Sequence, residues 1–317
     1  MEIIAKAPAS CGELVEGVLD GTPFLVTAPI SMYAVATVSD AFTGMHGLGA
    51  KAEKAVARTL AYIGQDSLPF GIRLSSEIPQ GKGMASSSAD IAAVAYATAR
   101  SFGRELTGGE IMDIAIAIEP SDGIAFGGLS HVSHTTGELF GQYGNVPLLS
   151  ISIFDVGGTV DTIAYYKSKG NHGDQDGDYL QIMSVVREAF LAEGQEREIL
   201  LGQAAMASAR LNQAFRTHGH RKEMLLGQVA TGSARLNQEH LEKPHLEEFI
   251  VSAQRWGALG TLVAHSGTVV GVLWASDLQA QDVVQKTLKL AAEFDGRYRY
   301  MQTVRLISGG VVCEIQP

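Results

Sequence analysis

Residues 79–99 read PQGKGMASSSADIAAVAYATA, and the order of residue types in this stretch decides the architecture around it. Pro79 ends an alternating run, FGIRLSSEI (70–78), that fits a half-buried strand. Gly81 and Gly83 punctuate a short loop, and Ser86, Ser87 and Ser88 lead into an alanine-rich helical segment that stops at Gly103. Strand, glycine loop and helix N-terminus form a geometry that suits phosphate. The first N–H groups of a helix lack intrahelical acceptors and carry the positive end of the macrodipole. Glycines let the backbone approach an anion that a Cβ would keep away. Pro79, Gly81, Lys82, Gly83, Met84, Ala85, Ser86, Ser87 and Ser88 are therefore the candidate nucleotide-phosphate contacts, with the serine hydroxyls also available to a Mg²⁺ ion. A plainer reading stands beside this one. Ser87 with Asp90 three residues on fits a capping box, and no lysine directly precedes Ser86 as a P-loop would require.

Working outward, MEIIAKA (1–7), TPFLVTAPI (22–30) and MYAVATVSD (32–40) read as strands of one sheet. Apolar residues from Lys51 to Ile63 recur at helical spacing, and a second helix after the loop runs from Gly109 to Ile118 before Pro120 stops it. Beyond Gly127 and Gly128, the runs SHVSHTT (130–136) and PLLSISIFDV (147–156) are strand-like, and the domain boundary is placed near Asn145. The polar segment from Lys167 to Tyr179 reads as an exposed loop. EILLGQAAMASARLNQ from Glu198 recurs 25 residues later as EMLLGQVATGSARLNQ from Glu223. Two copies are too few for a solenoid and read as a duplicated helix pair. Strands return in TLVAHS (261–266), TVVGVLW (268–274) and TVRLIS (303–308), with a helix from Ala280 to Phe294. The fold class is α+β, with domains over 1–145 and 146–317.

Bulk properties narrow the function. The chain has 317 residues, 46% of them hydrophobic, and a net charge of -10. No block of lysines and arginines is present, which argues against a nucleic-acid surface. Cys11 and Cys313 sit at opposite ends and form neither a disulfide framework nor a zinc spacing. No signal peptide and no apolar run of membrane-spanning length are legible, so a cytoplasmic, membrane-free protein is expected, with a homodimer left open.

Two carboxylates stand out. Glu119 ends a helical run directly before Pro120, where the macrodipole opposes a negative charge by about 0.3–1 kcal/mol and proline disfavours helical geometry at the residue before it. Asp122 follows three residues later. Alternatively the two are an exposed helix end and a turn aspartate. Near the N-terminus Ser10, Cys11, Gly12 and Glu13 form a polar patch between apolar runs, in which Glu13 is either a contact for a substrate ammonium, with Ser10 and Cys11 nearby, or a solvated strand-end charge. His265, Ser266 and Gly267 make a tight link between two apolar runs, with His265 readable as a packed histidine; Trp256, Trp274, His131 and His134 read as core or surface residues.

The run Pro79, Gly81, Gly83, Met84, Ala85, Ser86, Ser87 resembles the second motif of the GHMP kinases. APASCGELVEG (7–17) and AHSGTVVGVLW (264–274) resemble that superfamily's N-terminal and C-terminal motifs, in the family's order. Within the superfamily, PASCGEL, GMASSSADIAA, IEPSD and AHSGTVVG look most like the L-threonine kinase branch of propanediol utilisation and cobalamin synthesis. The resemblance implies a ribosomal-protein-S5-like first domain, a ferredoxin-like second domain, and ATP and Mg²⁺ as cofactors. It also implies a small hydroxylated acceptor, with Glu119 and Ser87 holding the metal and Asp122 acting on the acceptor hydroxyl. Ser10, Cys11, Gly12, Glu13, Ser266 and Gly267 would then line the acceptor side. The sequence departs from the family at Ser10, where a lysine or arginine is usual, and in the short interval between Glu119 and Asp122. Homoserine kinase chemistry and a catalytically silent sensor on the same fold are the alternatives.

Overall fold

The computed structural model describes residues 1–19, 22–144, 146–160, 218–239 and 241–316. The Lys167–Tyr179 loop, the first repeat copy and the proposed boundary residue Asn145 lie outside the described residues. The first elements are β1 (Glu2–Leu19), β2 (Thr22–Ser39), β3 (Met45–His46), α1 (Ala50–Ile63), β4 (Gly71–Ser76), α2 (Ser86–Arg100) and α3 (Gly108–Ile116). A 3₁₀ turn over Gly123–Ala125 leads to β5 (Leu129–Val132), β6 (Leu139–Tyr143) and β7 (Ser150–Asp155). There follow α4 (His218–Leu236), a 3₁₀ turn at Asn237–Glu239, α5 (Leu246–Arg255), β8 (Gly260–Val263), β9 (Val269–Trp274), α6 (Ala280–Glu293), β10 (Arg299–Arg305) and β11 (Val312–Gln316).

The strands form one continuous sheet in the order β10-β7-β9-β8-β1-β2-β4-β3, with β11 added to β1 and the β5–β6 hairpin to β2. The expected second and third strands are one, β2, and the N-terminal motif lies inside the 18-residue strand β1. That strand joins the two halves. Its first residues pair with β2 and β11, while Glu13 is opposite both Thr27 of β2 and Val263 of β8. Register shifts on either side of Glu13, with Gly12 at φ +66, bulge the strand at that point. Bulges re-aim side chains and often border functional sites.

Alanine explains how closely the layers approach. Helix α2, which packs on β1 and β2, buries Ala89, Ala92, Ala93, Ala95, Ala97 and Ala99 in the same core as the sheet residues Ala5, Ala7, Ala34 and Ala36. The main core runs from Ile3 of β1 to Leu262 and Leu273 of β8 and β9, so it crosses between the halves. A second cluster lies under α5 and α6, where Phe249 stacks on Tyr298 with ring centroids 4.0 Å apart. No helix among the described residues is long and apolar enough to cross a membrane.

Two sequence expectations change. The N-cap of α2 is Ala85, in the left-handed region at φ 57 and ψ 28 with no side-chain cap, so Ser87 and Asp90 do not form a capping box. The capping box is instead at Thr107 and Glu110 of α3. Helix α3 ends at Ile116, which leaves Glu119 in the turn beyond it.

Candidate active site

A cavity opens at the N-terminus of α2, walled by Ser86, Ser87 and Ser88 on one side and by Pro120, Ser121 and Asp122 on another. Glu13 from the β1 bulge, Ser266 from the β8–β9 turn and His134 complete the enclosure with Gly81, Gly83, Met84 and Ala85. Ala85 costs about 1–2 kcal/mol as a left-handed alanine. Its conformation turns the chain so that the three serines begin the helix on the cavity wall.

The three sequence motifs meet here by backbone contact. A Cβ on Gly83 would come within 2.7 Å of Gly267 Cα, and one on Gly267 within 2.2 Å of the Lys82 carbonyl oxygen. That carbonyl accepts from Thr268 N–H at 3.0 Å. From the N-terminal motif, Ser10 N–H donates to the Met84 carbonyl at 3.1 Å, and Gly12 lies so close to β8 that a Cβ would meet the Val263 oxygen at 2.4 Å. Ser10, Gly12 and Gly267 therefore shape the walls from behind. Cys11 is turned into the core against Gly271, where burial pushes its thiol pKa up.

Asp122 caps the 3₁₀ turn that precedes β5, and its Oδ2 accepts from Ser88 Oγ at 3.1 Å. Burial raises the Asp122 carboxyl to about 8, neighbouring Glu13 adds to the rise, and the Ser88 bond opposes it. Asp122 and Glu13 also hydrogen-bond each other through their side chains. Glu13 is only 4% exposed, so it is not a solvated charge. His265 is buried too, with its backbone N–H and its Nδ1 each 3.1 Å from Glu13 Oε2. The sequence reading missed His134 on the cavity wall and the carboxylate Glu16, which lies behind Glu13.

With the site's geometry in place, comparison with known proteins gives a consistent result. The family model described as GHMP kinases N terminal domain matches residues 50–130, the span that holds α1, α2, Glu119 and Asp122. Residues 50–130 carry the GHMP kinase N-terminal domain. The chain is 26% identical to the L-threonine kinase of Citrobacter freundii over 97% of its own length and 98% of that protein. It is 27% identical to the L-threonine kinase of Salmonella typhimurium, over 97% of this chain and 94% of that one. Among solved structures, the mevalonate kinase of Methanococcus jannaschii superposes with a TM-score of 0.63 at 15% identity, covering 97% of this chain and 98% of that one. Its architecture is accordingly the two-domain GHMP kinase fold.

Two remaining candidates, Lys82 and Glu119, sit apart from the cavity wall. Lys82 reaches away from it, donating to Asp155 Oδ2 and to the Gly158 carbonyl, each at 2.7 Å. Burial alone would raise the Asp155 carboxyl, but bonds from Lys82 and Thr268 bring it below its usual range. Glu119 is buried behind Pro120, with Oε2 at 2.5 Å from Lys51 Nζ on α1. Its Oε1 is buried and has no hydrogen-bond partner among the described residues.

Proposed function

We propose that this ATP-dependent small-molecule kinase transfers the γ-phosphoryl of ATP to the side-chain hydroxyl of L-threonine, giving O-phospho-L-threonine. One observation carries the reading. A helix N-terminus suited to phosphate and a buried carboxyl, Asp122, line one cavity and are joined by the 3.1 Å bond from Ser88. The close approach of Gly83 to Gly267 fixes the loop on the C-terminal motif, and the phosphate contacts are assigned to Gly81, Gly83 and the serines because they line the cavity at the N-terminus of α2. Lys82 holds the loop to Asp155 rather than contacting phosphate directly.

Of the two donors proposed for Mg²⁺, Ser87 offers a hydroxyl on the cavity wall, whereas Glu119 stands apart from that wall, paired with Lys51 and with one carboxylate oxygen that has no hydrogen-bond partner among the described residues. Both are hard oxygen ligands, and the bound ion would neutralise charge on the transferring phosphoryl. Asp122 accepts the threonine hydroxyl proton as the new O–P bond forms and the bond from Pγ to the bridging oxygen breaks, with ADP leaving. A carboxyl of pKa about 8 is a capable acceptor once deprotonated. The division into a nucleotide domain over 1–145 and a second domain over 146–317, the cytoplasmic location and a place in cobalamin synthesis belong to the same proposal.

The test couples ADP release to a readout with Mg·ATP and a panel of L-threonine, L-serine, L-homoserine, mevalonate and galactose. Preference for L-threonine is expected. Preference for L-homoserine moves the protein to the homoserine branch, and absence of turnover with every acceptor favours a sensor.

A further inference from the structure

In an unbroken strand, residues three apart face opposite sides. The register shift between Glu13 and Val15 alters that alternation, and Glu13 and Glu16 of β1 both turn toward His265. The ligand atoms of the three residues lie within 4.8 Å of one another, and all three residues are buried. Buried carboxylates persist only when they are bonded and neutralised. Here the donors come from the second half of the chain. His265 Nδ1 is 3.1 Å from Glu13 Oε2, and His265 Nε2 is 3.2 Å from Ser233 Oγ on α4. Ser233 Oγ in turn accepts from Glu16 N–H at 3.3 Å.

One tautomer satisfies every group in this chain of bonds. With the proton on Nδ1, the ring donates to Glu13, and Nε2 accepts the Ser233 hydroxyl proton while the Ser233 oxygen takes the Glu16 N–H. The sequence of bonds continues from Glu13 to Asp122 and from Asp122 to Ser88, so it connects α4 with the head of α2 across the cavity.

Charge accounting gives the network a purpose. Two buried carboxyls, Glu13 and Glu16, interact with one buried amine, Lys243, and Asp122 adds a third buried carboxyl bonded to Glu13. The cavity wall itself carries Glu13 and Asp122 and no lysine or arginine among the described residues. A resident metal is disfavoured at the Glu13–Glu16–His265 cluster, because Nδ1 already bonds Glu13 and Lys243 supplies positive charge to both glutamates. On the cavity side, Glu13 carries the negative charge of the pair it forms with Asp122, and one carboxylate on a wall without lysine or arginine suits a cationic ligand.

We propose that His265 and Ser233 are positioning residues that hold Glu13 against the cavity so that it reads the ammonium group of the acceptor. The proposal rests on the amino-acid acceptor reading above. The phosphate loop supplies the reaction, and the His265–Ser233 pair confers preference for acceptors that carry an amine. Each half of the molecule contributes one part of this recognition, Glu13 from β1 and its two supports from α4 and the β8–β9 turn.

The test is calorimetric binding of L-threonine and of 3-hydroxybutyrate, the same skeleton without the ammonium, to the full chain and to its His265→Leu, His265→Asn and Ser233→Ala variants. A non-hydrolysable ATP analogue titrated into each reports the nucleotide site. The unaltered protein is expected to favour L-threonine by tenfold or more. His265→Leu should bring that ratio close to one and leave the nucleotide affinity within twofold. His265→Asn, whose Nδ2 replaces Nδ1 as donor to Glu13, should recover most of the ratio. Ser233→Ala should lower it in the same direction and provides the reading if His265→Leu does not fold. An unchanged ratio in both His265→Leu and Ser233→Ala overturns the inference alone, as does equal weakening of both acceptors and nucleotide. Failure of the unaltered protein to bind L-threonine overturns the substrate reading together with it.

Discussion

Asp122 and Glu13 are two carboxyls in one hydrogen bond, and such pairs resist double ionisation. An unfolded aspartate titrates near 3.8 while Asp122 in the folded chain titrates near 8, so between those values the folded state binds the extra proton. Stability from this group is therefore greatest at low pH and declines as pH rises toward 8. Asp122→Asn removes the dependence. Thermal melts between pH 4 and pH 8 should show the variant gaining on the wild type as pH rises; a constant difference contradicts the assignment. In turnover, the same substitution should lower kcat by about 10²–10⁴-fold, the range for a positioned base. Wild-type kcat in Asp122→Asn at every pH would remove the base role. Gly83 is the second residue with a sharp expectation. At φ +75, and with Ala264 Cβ only 2.5 Å from where a methyl group would sit, Gly83→Ala combines backbone strain with a clash. Strain of this kind costs about 1–3 kcal/mol. Chemical denaturation should show a loss of at least that size, accompanied by weakened nucleotide binding.

At the level of elements, the alanine content of α2 is what allows a long helix to lie close against β1 and β2. Ala93 is fully buried there, and Ala93→Leu should destabilise by about 1–3 kcal/mol through overpacking. A neutral effect in denaturant unfolding would mean that the layer has slack. These elements were legible because their signals are local: proline and glycine bound β4 and the loop, and the helices α1, α2 and α6 begin and end within a residue or two of where the sequence puts them. The cap of α2 was not legible, because the left-handed turn at Ala85 is imposed by packing of the loop onto Gly267 and not by a side chain that prefers it. Glu16 and Ser233 were missed for a related reason. A strand bulge cannot be read from residue types alone, and the partner of Ser233 lies 32 residues away in another element. Asp122 and Glu119 were found because proline spacing marked their turn, but the Lys51 pairing of Glu119 depends on how α1 packs.

On the scale of the whole molecule, the sheet and the main core run through both halves, with β1 paired to β2, β8 and the C-terminal strand β11. Such a molecule should unfold as one unit. Scanning calorimetry is expected to give a single transition with equal calorimetric and van't Hoff enthalpies; two separated transitions would contradict the shared core. The cavity depends on that continuity, since the Gly81–Gly83 loop touches the C-terminal motif through Gly83 and Gly267, and Glu13 is held by His265. The central claim is that this shared cavity phosphorylates an amino-acid alcohol. Coupled ADP release with Mg·ATP tests it most directly: turnover with L-threonine above L-serine, L-homoserine, mevalonate and galactose is the predicted result, and turnover confined to mevalonate or galactose, or absent with all five, would contradict it.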